Sequence, residues 1–276
     1  MPRYRLSIAY DGTDFHGWQK QHPPAPDAIP DPETGEILRA PMRTVQEVVE
    51  QAVREAVREP ITLVGASRTD AGVHARAQTA AFTTSDDRRA GAPEDRLVMA
   101  INARLPDDVV VQSCVRTRDD FQPITDCIAK GYRYTIHSGS QRPLWDRRFV
   151  THIWHTLDES AMQAAAPLFI GEHDFAAFAT AGHGRESTIR TVLSCAVSRP
   201  EPERIRIDIS ATGFLWNMVR IIAGTLVEVG RGRLTPDDIR AAIESGNRRA
   251  AGPTLPPEGL CLMWSRYPED PPSPTT

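Results

Sequence analysis

The chain opens on an alternation. In RYRLSIAY (3–10), Tyr4, Leu6, Ile8 and Tyr10 fall on one face, the period-two pattern of a half-buried strand. TVQEVVEQAVREAVRE (44–59) changes to helical spacing, with Val45, Val48, Val49, Ala52, Ala56 and Val57 along one side. Thr44 and Glu47 stand at capping-box spacing in front of it. ITLVGA (61–66) and AQTAAFTT (77–84) predict two strands around a polar loop, followed by a helix over about 93–104 and a strand at VVVQSCV (109–115). The order is β-α-β-β-α-β, that of the split-βαβ or ferredoxin-like arrangement.

A similar series follows with no sequence identity to the first. GYRYTIHS (131–138) and FVTHIWH (149–155) read as strands, DESAMQAAAPLFI (158–170) as a helix, and TVLSCAVS (191–198) and RIRIDISA (204–211) as strands. GFLWNMVRIIAGTLVEVG (213–230) is a strongly apolar helix, a short helix starts near Pro236, and CLMWSRY (261–267) closes the series. The expected fold is α+β: two ferredoxin-like (βαββαβ-type) halves, residues 1–115 and 116–268, sharing a mostly antiparallel sheet with helices on one face. HPPAPDAIPDPETGEILRAP (22–41), rich in proline and acid, reads as an inserted surface loop, and 269–276 as a disordered tail.

Composition changes this picture little. With 40% hydrophobic and 25% charged residues the chain has the make-up of a soluble globular protein. No apolar run reaches the roughly 20 residues that span a bilayer, and no signal-peptide pattern precedes the first strand, so a cytoplasmic protein with no membrane partner is expected. The net charge of −4 speaks at first against a nucleic-acid partner. However, 22–41 carries −3 and 267–276 carries −2, which leaves +1 on the remainder. A body near neutrality can hold a basic cleft, because local field draws in phosphate. Cys114, Cys127, Cys195 and Cys261 form no CxxC pair and sit in or beside apolar runs, as buried free thiols do. No histidine pair has metal-ligand spacing on a helix, and no Gly-rich phosphate loop appears.

One loop carries a candidate chemistry. In GASRTDAGVHAR (65–76), Asp70 lies between two expected strands, with Arg68 two residues before it and Gly72 two after. Gly72 permits a positive φ. Asp70 can serve as an ordinary turn aspartate bonded to backbone amides. Alternatively, Arg68 pairs with it across an extended backbone and keeps it ionised in a cleft, ready to act as nucleophile or base. No second acid is near in sequence, which leaves a one-carboxylate chemistry without a cofactor.

SRTDAGVHARAQ (67–78) resembles the catalytic loop of TruA-type tRNA pseudouridine synthases. AYDGTDFHGWQ (9–19), TVQEVVEQAV (44–53), INARLPDDV (101–109), KGYRYTI (130–136), GEHDFAAFA (171–179), ATGFLWNMVRIIAGTLVEVG (211–230) and TLPPEGLCL (254–262) are similar to the same family, in order. The resemblance implies isomerisation of uridine to pseudouridine at positions 38, 39 and 40 of the tRNA anticodon stem-loop, without cofactor or metal, by a homodimer. It implies Asp70 as the essential aspartate and Arg68 as its partner, which also fills the stack when the base flips out. Tyr132 is then the platform under the target base, Arg220 a second basic partner of the aspartate, and Leu260 an apolar contact near the base.

Phe214 and Trp216 read as core, and His74 as either an RNA contact or a strand cap. Arg142, Arg147, Arg148, Arg231, Arg233, Arg248 and Arg249 are candidates for phosphate contacts. The chain departs from the family pattern at Ser67, where glycine is usual, and at Gln122-Pro123-Ile124, where a positive charge is lost. Competing readings are a non-catalytic RNA-binding protein of the same fold, a synthase acting on another RNA, and a hydrolase or lyase of small glycosides.

Overall fold

The computed structural model describes residues 1–24, 40–86, 91–180 and 186–270. Most of the insertion expected at 22–41 and most of the tail lie outside them. The chain divides into two compact units, Met1–Ile124 and Thr125–Thr276. Among the described residues no helix is long and apolar enough to cross a membrane.

The first unit runs β1 (Arg3–Tyr10), α1 (Val45–Val57), β2 (Val64–Gly65), β3 (His74–Thr83), α2 (Leu97–Asn102) and β4 (Val109–Thr117). β1 pairs antiparallel with β3 and with β4, and β2 pairs antiparallel with β3, giving the spatial order β4-β1-β3-β2. The alternation in β1 is realised: Tyr4, Leu6, Ile8 and Tyr10 are buried, and Tyr4 stacks on Phe82 of β3 with ring centroids 5.2 Å apart. Val45, Val49, Val53 and Val57 of α1 and Leu97 and Ile101 of α2 complete the core.

α1 is not capped as its sequence suggests. Thr44 makes no side-chain cap, and its hydroxyl is buried without a partner. The first amides of the helix instead donate to backbone: Val45 N–H to the Gly17 carbonyl (3.1 Å) and Gln46 N–H to that of Trp18 (3.0 Å). A neighbouring chain segment has taken the orphan donors a side chain usually satisfies. The ends of the insertion are tied by Ala40 N–H to Pro23 O (3.0 Å) and Met42 N–H to Gln21 O (3.1 Å).

The second unit contains β5 (Ala129–Ser138), β6 (Thr151–Ile153), α3 (Glu159–Ala165), β7 (Gly171–Asp174), β8 (Ile189–Glu201), β9 (Arg204–Ala211), α4 (Met218–Gly230), α5 (Pro236–Ser245) and β10 (Leu260–Arg266). Antiparallel pairing gives β10-β5-β9-β8-β7, with the short β6 parallel to β5. Without β6, β7 and α5, the threading repeats the first unit's order strand for strand. The fold is thus α+β with mostly antiparallel strands, and each unit follows the split-βαβ plan. Ile136 of β5, Ile205, Ile207 and Ile209 of β9, and Ile221, Ile222 and Leu226 of α4 form the second core.

Several elements are shorter than their patterns. ITLVGA yields only a two-residue strand and FVTHIWH only three residues. The helix expected over 93–104 is a 3-10 turn, Glu94–Arg96, followed by six α-helical residues. All four cysteines are free, but only Cys195 is fully buried. Desolvation there pushes its thiol up to about 12.

Candidate active site

Asp70 opens a tight turn. Val73 N–H donates to the Asp70 carbonyl at 3.2 Å, and Gly72 at the third position has φ +78, the left-handed value a type II turn needs. Asp70 is half-buried and Ala71 exposed.

The residues leading into this turn are held on three sides. Gln78 of β3, wholly buried, bonds Ser67 twice, donating from Nε2 to its carbonyl (2.6 Å) and accepting its N–H at Oε1 (3.2 Å). Thr69 turns inward, its hydroxyl 2.8 Å from the Tyr10 hydroxyl at the end of β1. Its carbonyl accepts from Trp18 N–H at 3.0 Å.

This explains the glycines of AYDGTDFHGWQ. A Cβ on Gly12 would lie 2.0 Å from the Val73 carbonyl oxygen, and one on Gly17, at φ +86, would lie 2.6 Å from that of Thr69. The 11–18 segment therefore lies directly against the backbone of the Asp70 loop, at a distance only glycine allows. α1 anchors the segment in turn. Gln46 accepts from Lys20 N–H (2.9 Å) and donates to the Leu63 carbonyl (2.7 Å). The buried Glu50 holds Lys20 Nζ (2.7 Å), Arg54 Nη2 (2.5 Å) and Leu63 N–H (2.9 Å). Tyr10, Trp18, Gln46, Glu50 and Gln78 were not singled out from sequence. The available signal was a pair of polar residues, Gln46 and Glu50, spaced i,i+4 beside the apolar face of α1.

One expectation for the loop is corrected and one is narrowed. Arg68 does not pair with Asp70: it is exposed, and among the described residues no hydrogen bond or ion pair engages it. The pairing argument required extended backbone through 68–70. The ladder of β2 ends at Gly65, and Arg68 stands in solvent while Asp70 is half-buried, so spacing alone does not bring the two side chains together. His74 is buried, with Nδ1 accepting from Gly12 N–H at 3.0 Å and lying 3.2 Å from Asp11 Oδ1, so it clamps the loop rather than reaching a surface.

In the second unit, Tyr132 and Tyr134 share one face of β5, with Leu262 and Leu260 of β10 opposite them respectively. Tyr132 and Leu260 are thus diagonal neighbours on one face. Tyr132 is 9% exposed, and its ring meets Phe214 edge-on at 5.2 Å. Tyr134 donates its phenol proton to the Pro256 carbonyl (2.7 Å) and lies 2.5 Å from the Thr151 hydroxyl; burial pushes its pKa up. A Cβ on Gly259 would meet the Tyr134 ring at 2.7 Å, so the residue before Leu260 must be small.

Arg220 sits in the first turn of α4. Its Nε donates to the Leu255 carbonyl (2.6 Å) and its Nη1 to Asn217 Oδ1 (2.8 Å), and Leu255 N–H returns a bond to the Arg220 carbonyl (3.3 Å). Asn217, left-handed at φ 61, is fixed by Thr180 at 2.9 Å. These two acceptors are neutral and orient the guanidinium without cancelling its charge.

Trp216 is exposed rather than core, because helical spacing does not apply to it: α4 begins only at Met218. Among the arginines, Arg231 and Arg233 share Glu228, and Arg248 folds back on the carbonyls of Ala251 and Gly252. Arg142, Arg147, Arg148 and Arg249 are exposed. Among the described residues no group of three or more His, Cys, Asp or Glu side chains is arranged to hold a metal ion.

A family model described as tRNA pseudouridine synthase matches residues 6–123 and 165–268. The tRNA pseudouridine synthases A of Acetivibrio thermocellus and Geotalea uraniireducens are each 40% identical to this chain over 267 residues, and that of Pelobacter propionicus is 41% identical. In all three cases the alignment takes in 97% of this chain and the whole of the relative. Asp70 and its clamps at Tyr10, Gly12, Trp18 and Gln78 lie inside the first matched stretch, and Arg220 and Leu260 inside the second. The chain belongs to the tRNA pseudouridine synthase family, a family of isomerases.

Proposed function

We propose that the protein converts uridine to pseudouridine at positions 38, 39 and 40 in the anticodon arm of tRNA, with Asp70 as the catalytic carboxylate. The observation that carries this reading is the turn at Asp70. The loop that carries this one carboxylate is held by a buried glutamine, a buried tyrosine and a glycine-lined segment, all within the stretch that matches the family. Such fixing of a reacting group removes orientational freedom before the substrate arrives.

The reaction breaks the N1–C1′ bond of uridine, turns the uracil, and joins C5 to C1′; C5 gives up its proton and N1 gains one. An ionised carboxylate serves either route to this outcome, by attacking C1′ or by taking a proton from C2′ to give a glycal. The chemistry draws on no cofactor. Tyr132 is assigned as the platform under the target base, Leu260 as its apolar neighbour, and Arg220 as the basic partner of Asp70. Arg68, exposed next to Asp70, is assigned to the RNA stack vacated by the flipped base, since flipping costs a few kcal/mol that a filling side chain offsets. The enzyme is taken to work in the cytoplasm as a homodimer.

The test is carbodiimide-dependent primer extension on an unmodified tRNA transcript, with wild type beside Asp70→Asn, which removes the charge at nearly constant shape. Stops at 38–40 with wild type, and a loss of at least about 10³-fold in rate with retained tRNA binding in the variant, are expected. Equal rates would end the role given to Asp70, and stops only elsewhere would end the assignment of positions.

A further inference from the structure

β3 leaves the Asp70 turn through an irregular pairing. Ile8 of β1 faces Gln78 and Tyr10 faces Ala75, so two residues, Arg76 and Ala77, lie opposite the single Ala9. One extra residue on one strand of an antiparallel pair is a β-bulge. In a regular strand, positions three apart point to opposite faces. The bulge lifts that constraint. Ala75 and Gln78 are both buried, on the side of Tyr10 and Ile8, and Gln78 is thereby able to hold Ser67. Arg76, between them, is turned to solvent.

Several arginines of this unit are already paired. Arg3 donates to the Phe121 carbonyl (2.6 Å), Arg43 meets Asp108 (2.9 Å) and Arg54 meets Glu50 (2.5 Å). Among the described residues no hydrogen bond, ion pair or ring contact engages Arg76. Arg68 is in the same condition, so two guanidinium groups without a counter-charge stand on either side of Asp70 in the chain. The paired strands add no acid: β1, β3 and β4 contain neither Asp nor Glu. An exposed arginine is often ordinary surface charge. Arg76 differs in being delivered by a bulge, a device that re-aims side chains beside active sites.

We propose that Arg76 is a substrate-binding residue of this site, set outward by the bulge to hold a backbone phosphate of the RNA beside the uridine at Asp70. The guanidinium fork matches two phosphate oxygens at once, and its charge is not cancelled before the RNA arrives. Three strand residues carry the chain from Val73, at the end of the Asp70 turn, to Arg76, roughly 10 Å at strand rise. That distance places Arg76 at a neighbouring nucleotide and not at the reacting one. The bulge therefore serves the site twice, by letting Gln78 hold the loop from within and by presenting Arg76 to the RNA from without. The inference rests on the proposed tRNA substrate and on Asp70 as its catalytic residue.

The full-length protein carrying Arg76→Ala, Arg76→Lys or Arg76→Glu is compared with wild type on an unmodified tRNA transcript and on its isolated anticodon-arm hairpin. Filter-binding Kd across a salt series, kcat and KM are recorded. Arg76→Ala is expected to raise Kd and KM about fivefold with kcat at saturating RNA unchanged. It is also expected to flatten the slope of log binding constant against log salt by roughly 0.7–0.9, the loss of one phosphate contact. Arg76→Lys should restore the slope and most of the affinity, and Arg76→Glu should bind more weakly than Arg76→Ala. The hairpin should show the same changes as the whole tRNA. Unchanged Kd, KM and salt slope in Arg76→Ala and Arg76→Glu would overturn the proposal. So would a fall in kcat with Kd and slope intact, which would make the residue a support of the loop, and so would effects on whole tRNA that vanish on the hairpin. Wild type that makes no pseudouridine, yet binds the hairpin with a slope that depends on Arg76, would sink the proposed reaction and leave the phosphate contact standing.

Discussion

The two units thread their strands in one order, yet they hold their candidate functional groups by different means. In the first, Asp70 lies on a loop between β2 and β3, outside the hydrogen-bond ladder, and is kept in place by side chains and glycines from β1, the 11–18 segment and β3. In the second, Tyr132 and Leu260 lie within paired strands, and the ladder that forms the fold also places the site. A loop carries reactive groups well because its backbone is free of the ladder, but for the same reason it needs outside support. A lost clamp in the first unit should therefore cost activity more than stability, and a lost core contact in the second the reverse.

The sharpest way to break this comparison is Gly12→Ala. The new Cβ meets the Val73 carbonyl, so either the 11–18 segment or the Asp70 turn must move. A shift of about 1 Å at a catalytic group costs about 10²-fold in rate, and kcat is expected to fall by that order. A kcat within threefold of wild type would show that the segment does not set the position of Asp70.

Next comes Leu262→Ala, opposite Tyr132 and fully buried, which leaves a cavity in the second core. A loss of about 3 kcal/mol in denaturant unfolding is expected, with kcat per folded molecule nearly unchanged. A large fall in kcat with little loss of stability would erase the contrast between the units.

The smallest effect is expected from Tyr10→Phe, which keeps the ring and removes the hydroxyl beside Thr69. Stability should drop by about 0.5 kcal/mol, with about a tenfold fall in kcat at constant KM for tRNA. A rise in KM with kcat unchanged would place the hydroxyl in binding instead.

Much of the architecture was legible because its signals are local. The period-two run in β1, the apolar face of α1 and the apolar block of α4 each predicted an element that forms. Gly72 announced the turn at Asp70, since positive φ at the third turn position favours glycine. Where the reading failed, a distant segment had intervened. Thr44 and Glu47 have the spacing of a cap, but Gly17 and Trp18 supply the carbonyls that α1 uses. Arg68 and Asp70 have the spacing of a pair, but the arginine stands in solvent. His74 is a clamp because Asp11 and Gly12 fold over it.

By itself the sequence determined the order of the strands and helices other than β7, the turn that presents Asp70 and the family to which the chain belongs, since periodicity, turn chemistry and motif are carried by neighbours along the chain. Only the tertiary structure decided what holds the aspartate and which cations are already engaged. Hydrogen-bond partners, and the clearance a Cβ would need, depend on the backbone that comes to lie opposite, and residues far apart in sequence supply it.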